Sequence, residues 1–123
     1  MYSISVEQHF DAAHALRGYK GKCEALHGHR FRVVARIEAN ALDDIGLAYD
    51  FTELKAQLAE AIARFDHVNL NEVSPFDKIN PSSENLAANI YNELTSRLSG
   101  DKISLTAVEV WESPQTGVSY SPD

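Results

Sequence analysis

The stretch CEALHGHRFRVVARIE, residues 23–38, contains the pattern that decides the fold. Apolar and charged residues mostly alternate along its second half, and Phe31 and Val33 occupy the apolar positions. This period of two is typical of a half-buried β-strand. His27 and His29 share the parity of the apolar face, so both imidazoles are predicted to point inward. The pattern of this one stretch thus predicts both a strand that contributes to the core and two candidate metal ligands on its inward face.

The same period predicts further strands. Residues 2–7 alternate and indicate a first strand, and His14 stays on its apolar face if that strand continues. A third strand is predicted over residues 103–112 and a short last strand over Gly117–Tyr120, after a turn.

Two helices are predicted between the second and third strands. Asp50 is expected to cap the first, with Glu53 reaching back in a capping box. Its apolar stripe recurs every three or four residues: Phe51, Leu54, Leu58, Ile62 and Phe65. Pro81 indicates the start of the second helix, with Asn80 or Ser82 as cap. The element order predicts an α+β fold with a four-stranded antiparallel sheet and two helices on one face. The open edges of such a sheet are often paired between subunits.

Composition favours one domain over residues 1–123, in the cytoplasm. Eleven Lys and Arg against eighteen Asp and Glu give a net charge of −7, which disfavours nucleic acid as a partner. No apolar run approaches the roughly 20 residues that span a membrane. The first ten residues lack the pattern of a signal peptide. One cysteine cannot form an internal disulfide, as expected in a reducing compartment.

The histidines form the first candidate site. Side chains at positions i and i+2 of a strand project the same way, so His27 and His29 could bind one metal ion. His14 is a possible third ligand from the neighbouring strand. Three histidines leave one position of a tetrahedral zinc ion open, as in catalytic zinc sites. The alternative is that these are ordinary polar residues that happen to alternate correctly.

Three further residues could carry acid–base chemistry. Cys23, on the loop before His27, could be a zinc ligand, a nucleophile, a base or simply a small buried side chain. Asp66 could orient His67 as a general acid or base. Alternatively, Asp66 is solvated and His67 lies at a helix C-terminus.

Glu112 shares parity with the apolar residues of the third predicted strand and should point inward. A buried carboxylate needs a partner, and a ring edge with two N–H donors would suit it. The alternative is a strand-end residue that turns to water.

The order of these motifs resembles the 6-pyruvoyltetrahydropterin synthase family over nearly the whole chain. The matching segments are Phe10-Asp11-Ala12-Ala13-His14, Cys23-x-x-x-His27-Gly28-His29, Asp66-His67-x-x-Leu70-Asn71, Pro81-Ser82-Ser83-Glu84 and Glu112-Ser113. Within the family, the short spacing between Cys23 and His27 most resembles the 6-carboxy-5,6,7,8-tetrahydropterin synthase branch of queuosine biosynthesis.

The resemblance implies a tunnelling fold (T-fold), in which the sheets of several subunits close a barrel, commonly as a homohexamer made from two trimers. It implies that His14, His27 and His29 bind zinc. Cys23 would be the base, and Asp66 and His67 would complete a proton relay across a subunit boundary. The substrate-binding residues would be Glu112, Ser82 and Ser83.

The implied reaction converts 7,8-dihydroneopterin triphosphate into 6-carboxy-5,6,7,8-tetrahydropterin, acetaldehyde and triphosphate. Three alternatives remain: the sister reaction that yields 6-pyruvoyltetrahydropterin, an aldolase-like reaction on dihydroneopterin, and a non-catalytic zinc-binding oligomer. Arg17, Lys20 and Lys22 could bind the triphosphate, or they could belong to a solvated loop.

Overall fold

The computed structural model describes residues 1–98, 100 and 102–123, and these residues form an α+β fold. The strands are β1 (Tyr2–His14), β2 (His27–Ala39), β3 (Val68–Asn69), β4 (Ile103–Trp111) and β5 (Gly117–Tyr120). The α-helices are α1 (Phe51–Ile62) and α2 (Ser83–Arg97). Short 3₁₀ turns occur at Lys22–Glu24, Ala63–Phe65 and Leu70–Glu72.

The strands form one sheet in the order β3-β1-β2-β4-β5. β1, β2, β4 and β5 pair antiparallel, as predicted. The prediction of only four strands is wrong, because β3 adds two residues parallel to β1. So short a strand leaves no period in the sequence, and it forms because the loop after α1 lies along the end of β1.

The core lies between one face of the sheet and the two helices. Phe10 and Phe31 are direct partners across β1 and β2, and their rings stack with centroids 4.8 Å apart. The helices bury their leucine and isoleucine stripes against this face: Leu54, Leu58, Ile62, Leu86, Ile90 and Leu94. The prediction that Phe51 belongs to the buried stripe is wrong, since Phe51 is 59% exposed in the first turn of α1.

The helix caps explain where both helices begin. Asp50 accepts a hydrogen bond from the amide of Thr52 at 2.8 Å, which confirms the predicted cap. The capping box is wrong, because the Glu53 carboxylate accepts from Gln57, one turn further along the helix. Ser82 caps α2 by accepting from the amide of Asn85 at 3.1 Å. Among the described residues, no helix is long and apolar enough to cross a membrane.

Candidate metal centre and active site

The pairing of β1 with β2 brings three histidines together. His14 is the direct partner of His27, and Ala12 is the partner of His29, so all three imidazoles project from the core-facing side at one end of the ladder. Their ring centroids lie 4.6 to 5.2 Å apart. One ligand atom from each of them, together with a Glu112 oxygen, falls within 4.8 Å of the others. Such spacing allows one metal ion to be bound.

Backbone carbonyls fix the orientation of two of these rings. Nδ1 of His14 lies 2.7 Å from the carbonyl oxygen of Pro81, and Nδ1 of His27 lies 2.8 Å from that of Ala25. A carbonyl only accepts, so each Nδ1 must carry the hydrogen, and each neutral ring then presents an unprotonated Nε2. Histidine ligands in metalloproteins are usually held in this way.

Two Nε2 atoms are buried without a hydrogen-bond partner among the described residues, those of His14 and His29. The His14 side chain is only 1% exposed. Buried polar atoms normally have a partner, so two unpartnered nitrogens that face one point call for an additional group. A divalent metal ion fits, since three neutral imidazoles form a common zinc donor set.

Electrostatics favour the neutral, metal-binding form of these rings. Burial lowers the pKa of His14, and the neighbouring His27 and His29 lower it further, against the opposing effect of the Pro81 carbonyl and Glu112. Burial likewise lowers the pKa of His29, although the charge of Glu112 opposes this shift. Both rings are therefore prepared to coordinate rather than to carry a proton.

Glu112, directly after β4, joins the histidine group. Its backbone amide donates to the carbonyl of Thr116 at 3.1 Å, which fixes the residue at the strand end. Oε1 accepts from the hydroxyl of Ser83 at 3.1 Å. Oε2 lies 3.0 Å from Nε2 of His29, without the direction of a hydrogen bond. Parity predicted that Glu112 points inward, but nothing in the sequence indicated that it approaches the histidines.

The two predicted serines differ in their surroundings. Ser83 is buried, at 4% exposure, and donates to Glu112. Ser82 is half-buried, and its oxygen caps α2. Both lie at the helix N-terminus directly after Pro81, whose carbonyl holds His14.

Asp66 and His67 form a second cluster, at the turn before β3. Asp66 Oδ1 lies 3.0 Å from Nδ1 of His67. The backbone of Asp11 binds both residues: its amide donates to Asp66 Oδ1 at 3.0 Å, and its carbonyl accepts from the His67 amide at 2.6 Å. His67 has a φ of 59°, in the left-handed region that non-glycine residues adopt rarely. This turn is what lets adjacent side chains meet, and the part of Asp11 in it was not predicted.

Asp66 is held as a carboxylate. The amide of Asp11 lowers the pKa of Asp66, and the hydrogen bond and charge of His67 lower it further, against a smaller opposing effect of burial. A shallow depression of about 410 Å³ has both His29 and His67 among its lining residues. The depression thus borders the exposed side chain of His67 and one member of the histidine group, His29.

Cys23 lies in the 3₁₀ turn Lys22–Glu24 and is half-buried. Its carbonyl accepts from the amide of Leu16 at 2.8 Å, so the turn lies beside the chain that leaves β1. Within the described residues, its sulfur belongs to neither cluster of converging ligand atoms. Of the roles left open by the sequence, a base or nucleophile fits this placement better than a fourth ligand.

The comparisons with known proteins agree with this arrangement. The family model described as 6-pyruvoyl tetrahydropterin synthase matches residues 3–123. A Synechocystis protein named 6-carboxy-5,6,7,8-tetrahydropterin synthase is 34% identical over 125 residues, which cover 98% of this chain and 93% of that protein. A Rickettsia typhi protein of the same name is 32% identical, with 84% and 88% covered.

A solved structure has the same fold. The 6-pyruvoyl tetrahydropterin synthase of Caenorhabditis elegans superimposes with a TM-score of 0.87 at 26% identity, covering 99% of this chain and 96% of that one. The fold and the histidine cluster are those of a T-fold enzyme with a candidate metal centre. The chain belongs to the 6-pyruvoyl tetrahydropterin synthase family. The family resemblance and the enzyme class predicted from the sequence are thereby confirmed.

Proposed function

We propose that this chain is a zinc-dependent lyase that converts 7,8-dihydroneopterin triphosphate and water into 6-carboxy-5,6,7,8-tetrahydropterin, acetaldehyde and triphosphate. Such a reaction would serve queuosine biosynthesis. The observation that carries the proposal is the convergence of His14, His27 and His29, two of them with unpartnered Nε2 atoms, beside the Asp66–His67 pair. The names of the curated relatives favour the carboxy product.

The three histidines would hold the zinc ion through Nε2. The ion would supply Lewis-acid polarisation of the hydroxyl groups on the substrate side chain. The protein contributes the orientation of two rings through the carbonyls of Pro81 and Ala25, and it keeps His14 and His29 neutral through burial.

The proton transfers are assigned to Cys23 and His67. Cys23, as thiolate, would remove a proton from the substrate carbon next to the pterin ring. His67 would exchange a proton with the substrate side chain, and Asp66 would orient its imidazole from 3.0 Å. The exposed position of His67 leaves it accessible to a substrate in the depression.

The pterin ring is assigned to Glu112 and the two serines. A carboxylate can accept two hydrogen bonds from adjacent N–H groups on the ring edge. The hydroxyl of Ser83 orients this carboxylate, and Ser82 directly precedes Ser83 in the chain. On metal binding, Glu112 would serve the ring, since three histidines suffice as protein ligands of a catalytic zinc.

The second candidate is the sister reaction, in which triphosphate is eliminated and 6-pyruvoyltetrahydropterin is released. The name and close fold similarity of the Caenorhabditis elegans enzyme favour it. It would use the same metal and the same base, so the histidine and cysteine assignments do not separate the two reactions.

Product analysis separates the two reactions. The zinc-loaded protein is incubated with 7,8-dihydroneopterin triphosphate, and the products are identified by mass spectrometry. Equal amounts of the carboxypterin and acetaldehyde are expected. A pyruvoyl product without acetaldehyde would place the chain in the sister branch. No conversion at all would contradict the enzyme assignment and leave a metal-binding oligomer.

A homohexamer made from two trimers is also proposed. Among the described residues, β1 pairs on its outer side only at Ala12 and Ala13, so residues 2–11 present an open edge. At the other side of the sheet, β5 pairs only with β4 within the part of the chain that the structure describes. Pairing between these edges would close a barrel. Light scattering after size-exclusion chromatography should give about six times the monomer mass of 13.6 kDa, and a monomeric mass would contradict the assembly.

A further inference from the structure

Side-chain amides connect the loop before α2, residues 70–81, to the residues that follow β1. Asn71 Oδ1 accepts from the amide of Ala15 at 2.8 Å, and Asn71 Nδ2 donates to the carbonyl of Ala15 at 2.9 Å. Asn80 makes the same pair with the amide and carbonyl of Arg17, at 2.8 and 2.9 Å. Each asparagine thus binds one backbone residue as a neighbouring β-strand would.

The pairing of β1 with β2 ends at His14. Beyond it, the side-chain amides of the two asparagines keep the chain extended in the direction of β1. Ala15 and Arg17 face the asparagines, and Leu16, between them, donates to the carbonyl of Cys23 on the opposite side. The alternation is that of a strand, with successive amides directed to opposite edges. Residues 15–17 therefore link the loop before α2 to the turn that contains Cys23.

The guanidinium of Arg17 completes the fastening. Its Nη2 donates to the carbonyl of Phe76 at 2.7 Å and lies 3.4 Å from that of Asn71, and its Nη1 donates to the carbonyl of Ile79 at 3.2 Å. The planar fork of arginine suits several fixed acceptors, whereas a lysine ammonium is a point charge on a flexible stem. Both terminal nitrogens of Arg17 are engaged with the protein.

We infer that Arg17, Asn71 and Asn80 form a clamp that positions the metal centre. The clamp holds the loop whose last residue, Pro81, accepts from His14 Nδ1 at 2.7 Å. The same loop leads into the first turn of α2, where Ser83 donates to Glu112. The clamp thereby sets the tautomer and ring orientation of His14 without contacting the metal. Arg17 is a positioning residue and not a ligand of the triphosphate.

This inference rests on the zinc site of the proposed function, and its first test requires no metal. In the metal-free protein at pH 8, long-range ¹H–¹⁵N NMR of the histidines should show His14 with its hydrogen on Nδ1. A His14 ring protonated on Nε2 in the wild-type protein would overturn the inference. This test keeps its meaning even if zinc binding itself is not observed.

The second test compares two arginine-to-lysine variants. Arg17→Lys keeps the charge but loses the fork, and should weaken zinc binding about tenfold in competition with a chelator. Arg64→Lys is the matched control, because the guanidinium of Arg64 also donates to a carbonyl of this loop, that of Ser74, but its other hydrogen bond goes to Asn89 on α2 and not to residues 15–17. The control should bind zinc as the wild type does. If wild-type protein binds no zinc, the proposed function fails instead.

Kinetics distinguish the clamp from a triphosphate site. A clamp predicts that Arg17→Lys and Arg17→Ala lower kcat alike and leave KM nearly unchanged. If Arg17 instead binds phosphate, KM should rise in the alanine variant and rise less in the lysine variant, while the zinc affinity of both stays unchanged. That result would overturn the inference. Should Arg17→Lys fail to fold, Asn80→Ala removes only the amide pair and should still weaken zinc binding. Wild-type zinc affinity in a folded Asn80→Ala protein would equally overturn it.

Discussion

The hydroxyl of Ser83 donates to Oε1 of Glu112 across 3.1 Å, joining the first turn of α2 to the end of β4. The two residues are distant in sequence, and the contact forms because α2 packs over β4 and β5. One carboxylate oxygen is thereby fixed, while the other faces the histidines. A single serine thus determines which way the proposed ring-binding carboxylate points.

Glu112→Gln should raise KM for the pterin substrate by about tenfold or more, because an amide replaces one acceptor with a donor that opposes the ring N–H group. Ser83→Ala should give a smaller increase in KM, and Ser83→Thr should restore wild-type kinetics. Zinc content, measured by atomic absorption, should remain stoichiometric in all three. Loss of zinc from Glu112→Gln would show instead that Glu112 is an obligatory ligand.

Removal of the metal should abolish activity. Chelation followed by gel filtration should give an inactive protein, and one equivalent of zinc should restore turnover. His29→Ala should lose zinc, because two imidazoles remain. The control is His9→Ala: His9 lies on β1, the strand paired with that of His29, but on the solvent-facing side of the sheet, so this variant should keep both metal and activity. Stoichiometric zinc and full activity in His29→Ala would contradict the three-histidine site.

The turn at His67 allows side chain and backbone to be tested separately. His67→Asn should fold with little loss of stability, since asparagine tolerates a φ of 59°, while kcat falls about 10²- to 10⁴-fold. His67→Val should also lower the melting temperature, because a β-branched residue is strained at that φ. Asp66→Asn should lower kcat and keep zinc. An active His67→Asn protein would remove the histidine from the proton relay.

The convergence of the three histidines was predictable because it follows from two regular features. Strand parity places His27 and His29 on one face, and antiparallel pairing brings the end of β1 opposite them. The helix cap at Asp50 is local and was likewise predicted from the sequence. For the second helix the sequence left Asn80 and Ser82 as alternative caps, and the structure has Ser82.

The features that were missed depend on contacts between distant segments. Asp11 contributes its backbone to the Asp66–His67 turn, and backbone groups carry no sequence signal. Arg17 looked like a candidate anion-binding residue because composition reveals charge but not the three carbonyls around it. The approach of Glu112 to the histidines similarly depends on how α2 packs against β4.

Cys23→Ala should separate metal binding from catalysis. The sulfur lies outside the cluster of histidine ligand atoms, so the variant should bind zinc with wild-type stoichiometry. Its kcat should fall about 100-fold or more, since the proposed base is missing. Cys23→Ser controls for side-chain volume and should be comparably slow. Turnover of Cys23→Ala at the wild-type rate would remove Cys23 from the mechanism.

Glu109 should make folding stability depend on pH through its contacts on the solvent-facing side of the sheet. Burial alone raises the pKa of Glu109, but hydrogen bonds from Arg36 at 2.7 Å and Trp111 at 3.0 Å, together with the charges of Arg36 and Arg32, outweigh it and lower the pKa below its ordinary 4.5. A lowered carboxylate pKa stabilises the folded state above the unfolded value, and this contribution is lost as pH falls through the folded value.

Glu109→Gln should therefore reduce the free energy of unfolding by about 1–2 kcal/mol at pH 7, the range for a partly exposed hydrogen bond to a charged group. The difference from wild type should be full above about pH 4.5 and should shrink below it, as the wild-type carboxylate becomes protonated. Urea denaturation of the two metal-free proteins from pH 7 to pH 3 measures it. A constant difference across that range would mean that the charge of Glu109 contributes nothing, and that the lost stability is packing alone.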